Sequence, residues 1–167
     1  MSGPRHPPET PLVHAEDVRP EWLDYNGHLS EAYYVLVMGH ATDALMDATG
    51  LDADYRAATG CSLYTVEAHV RYLHEVRGDA RLTVRTRVVG LDDKRVHLVH
   101  EMHAAVAGRP GGDGPVATEE VLALHVDGAA GRAAPLPAER RAALGRHLAP
   151  APAHAHRAIR EVGAPVA

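Results

Sequence analysis

Apolar positions run almost unbroken from Ser30 to Thr49: Tyr34, Val35, Leu36, Val37, Met38, Ala41, Ala44, Leu45 and Met46. The polar residues His40, Asp43 and Asp47 recur at i, i+3 and i+7, so they form one narrow stripe. This spacing predicts a long helix with Ser30 as candidate N-cap, acidic Glu31 in its first turn and Gly50 closing it. A helix with so wide an apolar surface has to be enclosed by other structure.

Elsewhere the period is two. Leu12–Val18 predicts a first strand, ended by Pro20, which has no N–H for a ladder. Residues 51–61 predict a loop with one helical turn. Ser62–Leu73 alternates, with Tyr64, Val66, Ala68, Val70 and Tyr72 against Thr65, Glu67, His69 and Arg71. Arg81–Leu91, Arg95–Val106 and Val116–Val126 predict three more strands, separated by the turn Asp92-Asp93-Lys94 and the loop Gly108–Pro115. Pro137–Leu148 predicts a short helix. One strand, one buried helix and four antiparallel strands make an α+β class in which a sheet curls around the helix.

Composition adds boundaries. The chain of 167 residues, 46% hydrophobic and 23% charged, fits one domain, placed at 12–148. Residues 1–11 are Pro-rich and 149–167 Ala/Pro/His-rich, and both predict disorder. The net charge of −5 argues against a nucleic-acid partner. No apolar run approaches the ~20 residues of a membrane span. Cys61 stands alone, which excludes an intrachain disulfide and points to a cytoplasmic setting.

Chemistry concentrates between Pro20 and His28, in Pro-Glu-Trp-Leu-Asp-Tyr-Asn-Gly-His. Asn26-Gly27 is a strong turn signal, so Asp24 lies in a turn just before a helix N-terminus, where free N–H groups and a partial positive charge collect. A carboxylate beside such donors suits attack on a carbonyl. Asp24 as a simple turn or helix cap is the competing reading.

Trp22-Leu23-Asp24-Tyr25-Asn26-Gly27-His28 resembles the active-site turn of the 4-hydroxybenzoyl-CoA thioesterase branch of hotdog-fold enzymes, an Asp followed three residues later by Gly before the central helix. More closely, Pro20–His28, Ala41–Leu45, Tyr64–His69, Lys94–Leu98 and Leu124–Asp127 are similar to the betainyl-CoA thioesterases of carnitine breakdown, which also occur fused to carnitine dehydrogenase. The resemblance implies a hotdog fold and hydrolysis of a small acyl-CoA, betainyl-CoA among the candidates, with no cofactor beyond the coenzyme A of the substrate. It puts Asp24 in the place of the nucleophile or general base, Gly27 where the backbone passes close to substrate, and the backbone N–H near Glu31 as oxyanion donor. His28 is the histidine placed to affect catalysis, or else to cap or pack. Substrate contacts are implied at Asn26, Tyr64, Thr65, Glu67 and His69, the last two across a dimer interface. A homo-oligomer, dimer or dimer of dimers, is expected.

Phe is absent and the chain has one Trp and six Tyr, yet Trp22, Tyr25, Tyr33 and Tyr34 all lie near Asp24. Such rings bind a quaternary ammonium by cation–π attraction, or simply staple the helix to the sheet. Arg71, Arg77, Arg81, Arg85, Arg87 and Lys94 are candidate partners for coenzyme A phosphates. The thirteen histidines carry no metal motif: on a strand, His100 points opposite to His97 and His103, and the spacing is not that of a zincin helix. Two other functions fit the same fold: a hotdog dehydratase, which needs a His paired with a carboxylate, and a non-catalytic acyl-thioester binding module.

Overall fold

The computed structural model describes residues 11–106 and 112–163. The predicted disorder of residues 1–10 and part of the Gly108–Pro115 loop lie outside them. Strand β1 spans Leu12–Asp17 and leads through a short 3₁₀ turn, Pro20–Trp22, to helix α1, Glu31–Thr49. Then come α2 (Ala53–Thr59), β2 (Cys61–Tyr72), β3 (Ala80–Leu91), β4 (Arg95–Val106), β5 (Ala117–Asp127), β6 (Arg132–Ala133) and α3 (Ala138–Gly145). The sheet is antiparallel in the order β1-β3-β4-β5-β2, with β6 added to β5.

Helix α1 lies on one face of this sheet. Tyr34, Val37, Met38, Ala41 and Leu45 are buried, meeting Leu82, Val84 and Met102 toward one end and Leu98 and Val121 toward the other. Ser30 holds the N-cap position without a side-chain cap bond, and Gly50 ends the helix at φ 72°. The expected enclosure is one-sided in this chain: Val35 and Leu36 are 39% and 41% exposed. α2 is longer than the single turn expected, because Asp52 caps it by accepting from Tyr55 N–H.

Cross-strand partners share a face, so the pairing register shows which side chains look at α1. On β4 these are Val96, Leu98, His100 and Met102. The alternation expected for β2 is corrected by a bulge between Thr65 and Glu67. Leu63 and Thr65 pair with His125 and Ala123 on the α1 side, while Tyr64, Glu67, His69 and Arg71 pair with the opposite face. Tyr64 and Thr65 therefore exchange the faces that strict period two assigned them.

A polar chain crosses the apolar layer. Thr42 Oγ on α1 is 2.9 Å from His100 Nε2, and Thr86 Oγ on β3 is 2.9 Å from His100 Nδ1. Thr42 donates to Met38 O, so it accepts from Nε2–H, and Nδ1 accepts from Thr86. Burial pushes His100 down to about 4, which keeps the ring neutral and suited to that relay.

Of the segment expected to be loose from Ala149 onward, residues 149–163 are described; they form no helix or strand, yet they pack on the sheet face away from α1. Ile159 and Val162 are buried, and a Cβ at Gly90 would collide with the Val162 carbonyl.

Glu119 on β5 is 5% exposed, and burial raises its carboxyl to about 7. The folded chain therefore holds a proton that the unfolded chain releases above its ordinary 4.5, so stability falls as pH rises from there toward 7. Glu119→Gln is expected to stabilise the protein by up to about 3 kcal/mol at pH 8 and by little near pH 4.5. Denaturant unfolding at the two pH values checks this; an equal effect at both would contradict it.

Candidate active site

The stretch from Trp22 to Ser30 is a loop drawn closed at its base. Leu23 pairs with Leu29, Asp24 N–H donates to His28 O at 2.8 Å, and Ser30 N–H donates to Trp22 O at 3.0 Å. Leu29 N–H donates to Val76 O, which ties the loop to the segment between β2 and β3. At the tip Gly27 has φ 77°, a conformation that favours glycine.

Asp24 is half-buried, and its Oδ1 accepts from the backbone N–H of Asn26 at 2.8 Å and of His28 at 3.1 Å. The turn-capping role is thus real, and it uses one carboxylate oxygen. Oδ2 has no partner among the described residues, so capping orients the carboxylate without consuming it. At the start of α1, neither Glu31 nor Ala32 N–H has a partner among the described residues, while Tyr33 N–H donates to Ser30 O. These are the free donors of a helix N-terminus. His28 Nε2 is 3.6 Å from Glu75 Oε2 on an exposed carboxylate.

A cavity of about 370 Å³ opens at this helix start, lined by Leu29, Glu31, Tyr34, Tyr72, Leu73, His74 and Glu75. A second, of about 330 Å³, shares His74 and Glu75 and continues past Val76 and Arg77 toward Val106 and Val116. Tyr34 and Tyr72 meet edge to face at 5.3 Å and 87°. Both phenols are raised by burial first. Glu75 and Asp24 then add to Tyr34, and Glu31 and Glu119 to Tyr72. Acidic side chains therefore surround this tyrosine pair, and no Lys or Arg is among the described residues that line the first cavity.

The predicted residues separate into groups. Glu31 and Tyr34 line the first cavity with Glu75, which His28 approaches, while Asp24 and Gly27 belong to the adjoining loop. Trp22 is buried and stacked on Tyr33 at 5.6 Å, with the Arg19 guanidinium 4.8 Å from its ring centre. Its ring is thus already occupied, and it staples the helix entry. Tyr25, 98% exposed, and Asn26 stand at the loop tip. Tyr64 and Thr65 sit at the other end of β2, Tyr64 close to Gly128. Glu67 and His69 lie on the face away from α1. Arg77, Arg81 and Arg87 pair with Asp79, Asp17 and Glu101. Tyr72, His74, Glu75 and Glu119 were not among the predicted residues. Tyr72 carried a signal as the last ring of the alternating β2 stretch; the rest reach the site only through folding.

A model of the thioesterase-like superfamily matches residues 18–144. The chain belongs to this superfamily. Its architecture is the hotdog fold, a curled antiparallel sheet around α1. It is 44% identical over 151 residues to a betainyl-CoA thioesterase of Pseudomonas aeruginosa, covering 90% of this chain and 85% of that protein. It is 48% identical over 155 residues to an L-carnitine dehydrogenase/betainyl-CoA thioesterase of Agrobacterium fabrum; there the match covers 90% of this chain but only 30% of the longer protein. Among solved structures, a candidate thioesterase of Pseudomonas putida KT2440 superposes with a TM-score of 0.73 at 38% identity, covering 90% of this chain and 96% of that one. No helix among the described residues is long and apolar enough to cross a membrane.

Proposed function

We propose that this chain hydrolyses the thioester of a small, cationic acyl-CoA, betainyl-CoA being the best fit, and that Asp24 carries the chemistry. The observation behind this is the pairing of an oriented carboxylate with unpaired N–H groups at the start of α1. Asp24 Oδ2 acts as nucleophile, breaking the C–S bond to expel the coenzyme A thiolate and giving a mixed anhydride that water cleaves, or as general base on a water that displaces the thiolate directly. In either case the thioester oxygen gains charge as the carbonyl is attacked, and the Glu31 and Ala32 N–H groups are the donors for it. Gly27 keeps the backbone beside this point free of a side chain.

Selectivity for a trimethylammonium acyl group rests on Tyr34 and Tyr72 with Glu31 and Glu75, rather than on Trp22 and Tyr33. A quaternary ammonium gains cation–π energy of order 0.5–2 kcal/mol per ring, and the carboxylates around the pair favour its charge further. The names of the relatives that share 44% and 48% identity agree with this acyl group. The second cavity, running from His74 and Glu75 past Arg77, is the natural course for the coenzyme A arm.

The working unit is a homodimer. β2 is an edge strand of 12 residues whose Tyr64, Val66 and Tyr72 are 45%, 54% and 49% exposed. A long unprotected edge of this kind is a template for another strand. Antiparallel pairing of two β2 strands about their middle, between Val66 and Glu67, sets Tyr64 of one copy opposite His69 of the other and Tyr72 opposite Cys61. That would join residues which a single chain keeps apart. Static light scattering at micromolar concentration should give at least twice the 17.9 kDa chain mass; a strict monomer would sink this reading.

His28 and Glu75 form the His–carboxylate pair that a dehydratase needs, so the reaction itself must be measured. Free-thiol release from a panel of acyl-CoA esters should be fastest with betainyl-CoA. Preference for benzoyl-CoA or long-chain esters would defeat the cationic assignment, and absence of thiol release the hydrolytic one.

Asp24→Asn keeps an oxygen for the turn and removes the charge. It should lower kcat by roughly 10²-fold or more while the protein stays folded and binds acyl-CoA. Retention of most of kcat would show that Asp24 only caps.

Tyr72→Leu should raise KM for betainyl-CoA by about three- to thirtyfold, with a smaller effect on a neutral ester of similar size. An equal effect on both would mean that the ring only packs.

A further inference from the structure

The sheet face turned away from α1 carries a second cluster of chemistry-bearing side chains. His97 on β4 and Glu120 on β5 are 0% and 3% exposed, and His97 Nε2 lies 2.8 Å from Glu120 Oε1. The C-terminal segment brings His156 over them: its backbone N–H donates to the same Oε1 at 2.8 Å, and its ring stands 5.1 Å from that of His97, nearly perpendicular. One donor atom from each of the three residues lies within 4.8 Å of the others.

As hydrogen-bonded groups these residues are poorly satisfied. Glu120 Oε2 and His97 Nδ1 are buried without a partner among the described residues. An unpaired buried carboxylate oxygen is costly. Glu67 and His69 pair with Leu122 and Glu120 on the same face, so both flank the cluster. Arg87, two strands away, is held by Glu101 at 2.8 Å. His156 reaches this position with φ 62°, alone among the described non-glycine residues in the left-handed region.

We propose that His97, Glu120 and His156 bind a divalent transition metal of the zinc class, which fastens the C-terminal segment to the outer face of the sheet. Two neutral imidazoles and one carboxylate are a donor set that such ions select, and they leave a fourth position for water or for Glu67 or His69. The metal completes a buried carboxylate whose Oε2 has no hydrogen-bond partner among the described residues. On the face opposite α1, the ion has a structural role and no part in thioester cleavage. Histidine spacing could not show this, because the residues are 23 and 36 positions apart.

The test uses the full chain, freed of metal by chelator and titrated with Zn²⁺ by calorimetry and with Co²⁺ by visible absorption. One equivalent per chain is expected, with the strong visible bands of tetrahedral Co²⁺. His156→Ala, on an exposed residue outside the core, should weaken binding by roughly tenfold or more. Arg157 and Arg160 are exposed and flank buried Ile159, so Zn²⁺ should protect this segment from trypsin in the wild type and not in His156→Ala. A second His–Glu–His group serves as control: in His14, Glu16 and His40 the carboxylate already accepts from both rings. His40→Gln should therefore leave stoichiometry, affinity and protection unchanged. Substoichiometric binding, unchanged affinity in His156→Ala, or loss of the equivalent in His40→Gln would each overturn the proposal.

Discussion

Everything in this fold depends on laying one largely apolar helix against a curved antiparallel sheet. Packing decides it, because α1 lacks a side-chain cap at Ser30 and buries Val37, Met38, Ala41 and Leu45 completely. The apolar contact by itself would leave the helix free to slide. The Thr42–His100–Thr86 relay removes that freedom, since a buried neutral imidazole is satisfied only when both hydroxyls face it. The relay therefore fixes the axial position of α1, and with it the place of its N-terminus relative to the Asp24 loop.

That placement gives the site its character. Three tethers hold the loop: Leu23 to Leu29, Ser30 to Trp22 and Leu29 to Val76. The stacked Trp22–Tyr33 pair wedges its entry. A carboxylate oriented by two backbone donors is preorganised for the attack proposed above, and preorganisation is where such sites gain most of their advantage. The same region collects Glu31 and Glu75 around two tyrosines, with no lysine or arginine among the described residues that line the cavity. Such a field disfavours an anionic acyl group as strongly as it favours a cationic one, so the selectivity proposed above would come from exclusion as well as attraction.

Much of the fold was legible because its signals are periodic and local. The polar stripe of α1, the alternation of β3 and the Asp92–Lys94 turn each follow from residues within a few positions of one another, and β4 lies where its pattern put it, Arg95–Val106. Asp24 and Gly27 were legible through turn chemistry. What escaped was non-local or cancelled itself. The β2 bulge shifts the faces by one residue in a stretch where Tyr64 and Thr65 are both tolerable on either side. Ile159 and Val162 are two apolar residues in an Ala/Pro/His-rich tail, too few to mark a buried segment, and they are buried only because the outer face offers Gly90. The aromatic cluster near Asp24 was real in sequence but divides in space, since neighbours along a helix start point in different directions: Tyr33 toward Trp22, Tyr34 toward Tyr72.

The two faces of the sheet divide their tasks by how each buried polar group is satisfied. On the α1 side, His100 is neutral with both ring nitrogens engaged, so it adds rigidity and takes no ligand. On the other side, His97 and Glu120 are as deeply buried but leave one nitrogen and one oxygen without partners among the described residues. Burial without satisfaction is costly, and a chain keeps it where something else completes the set. The Thr42–His100–Thr86 relay thus has its hydrogen bonds closed by the fold itself, while the outer-face pair holds groups whose completion depends on the C-terminal segment and on what that segment brings with it.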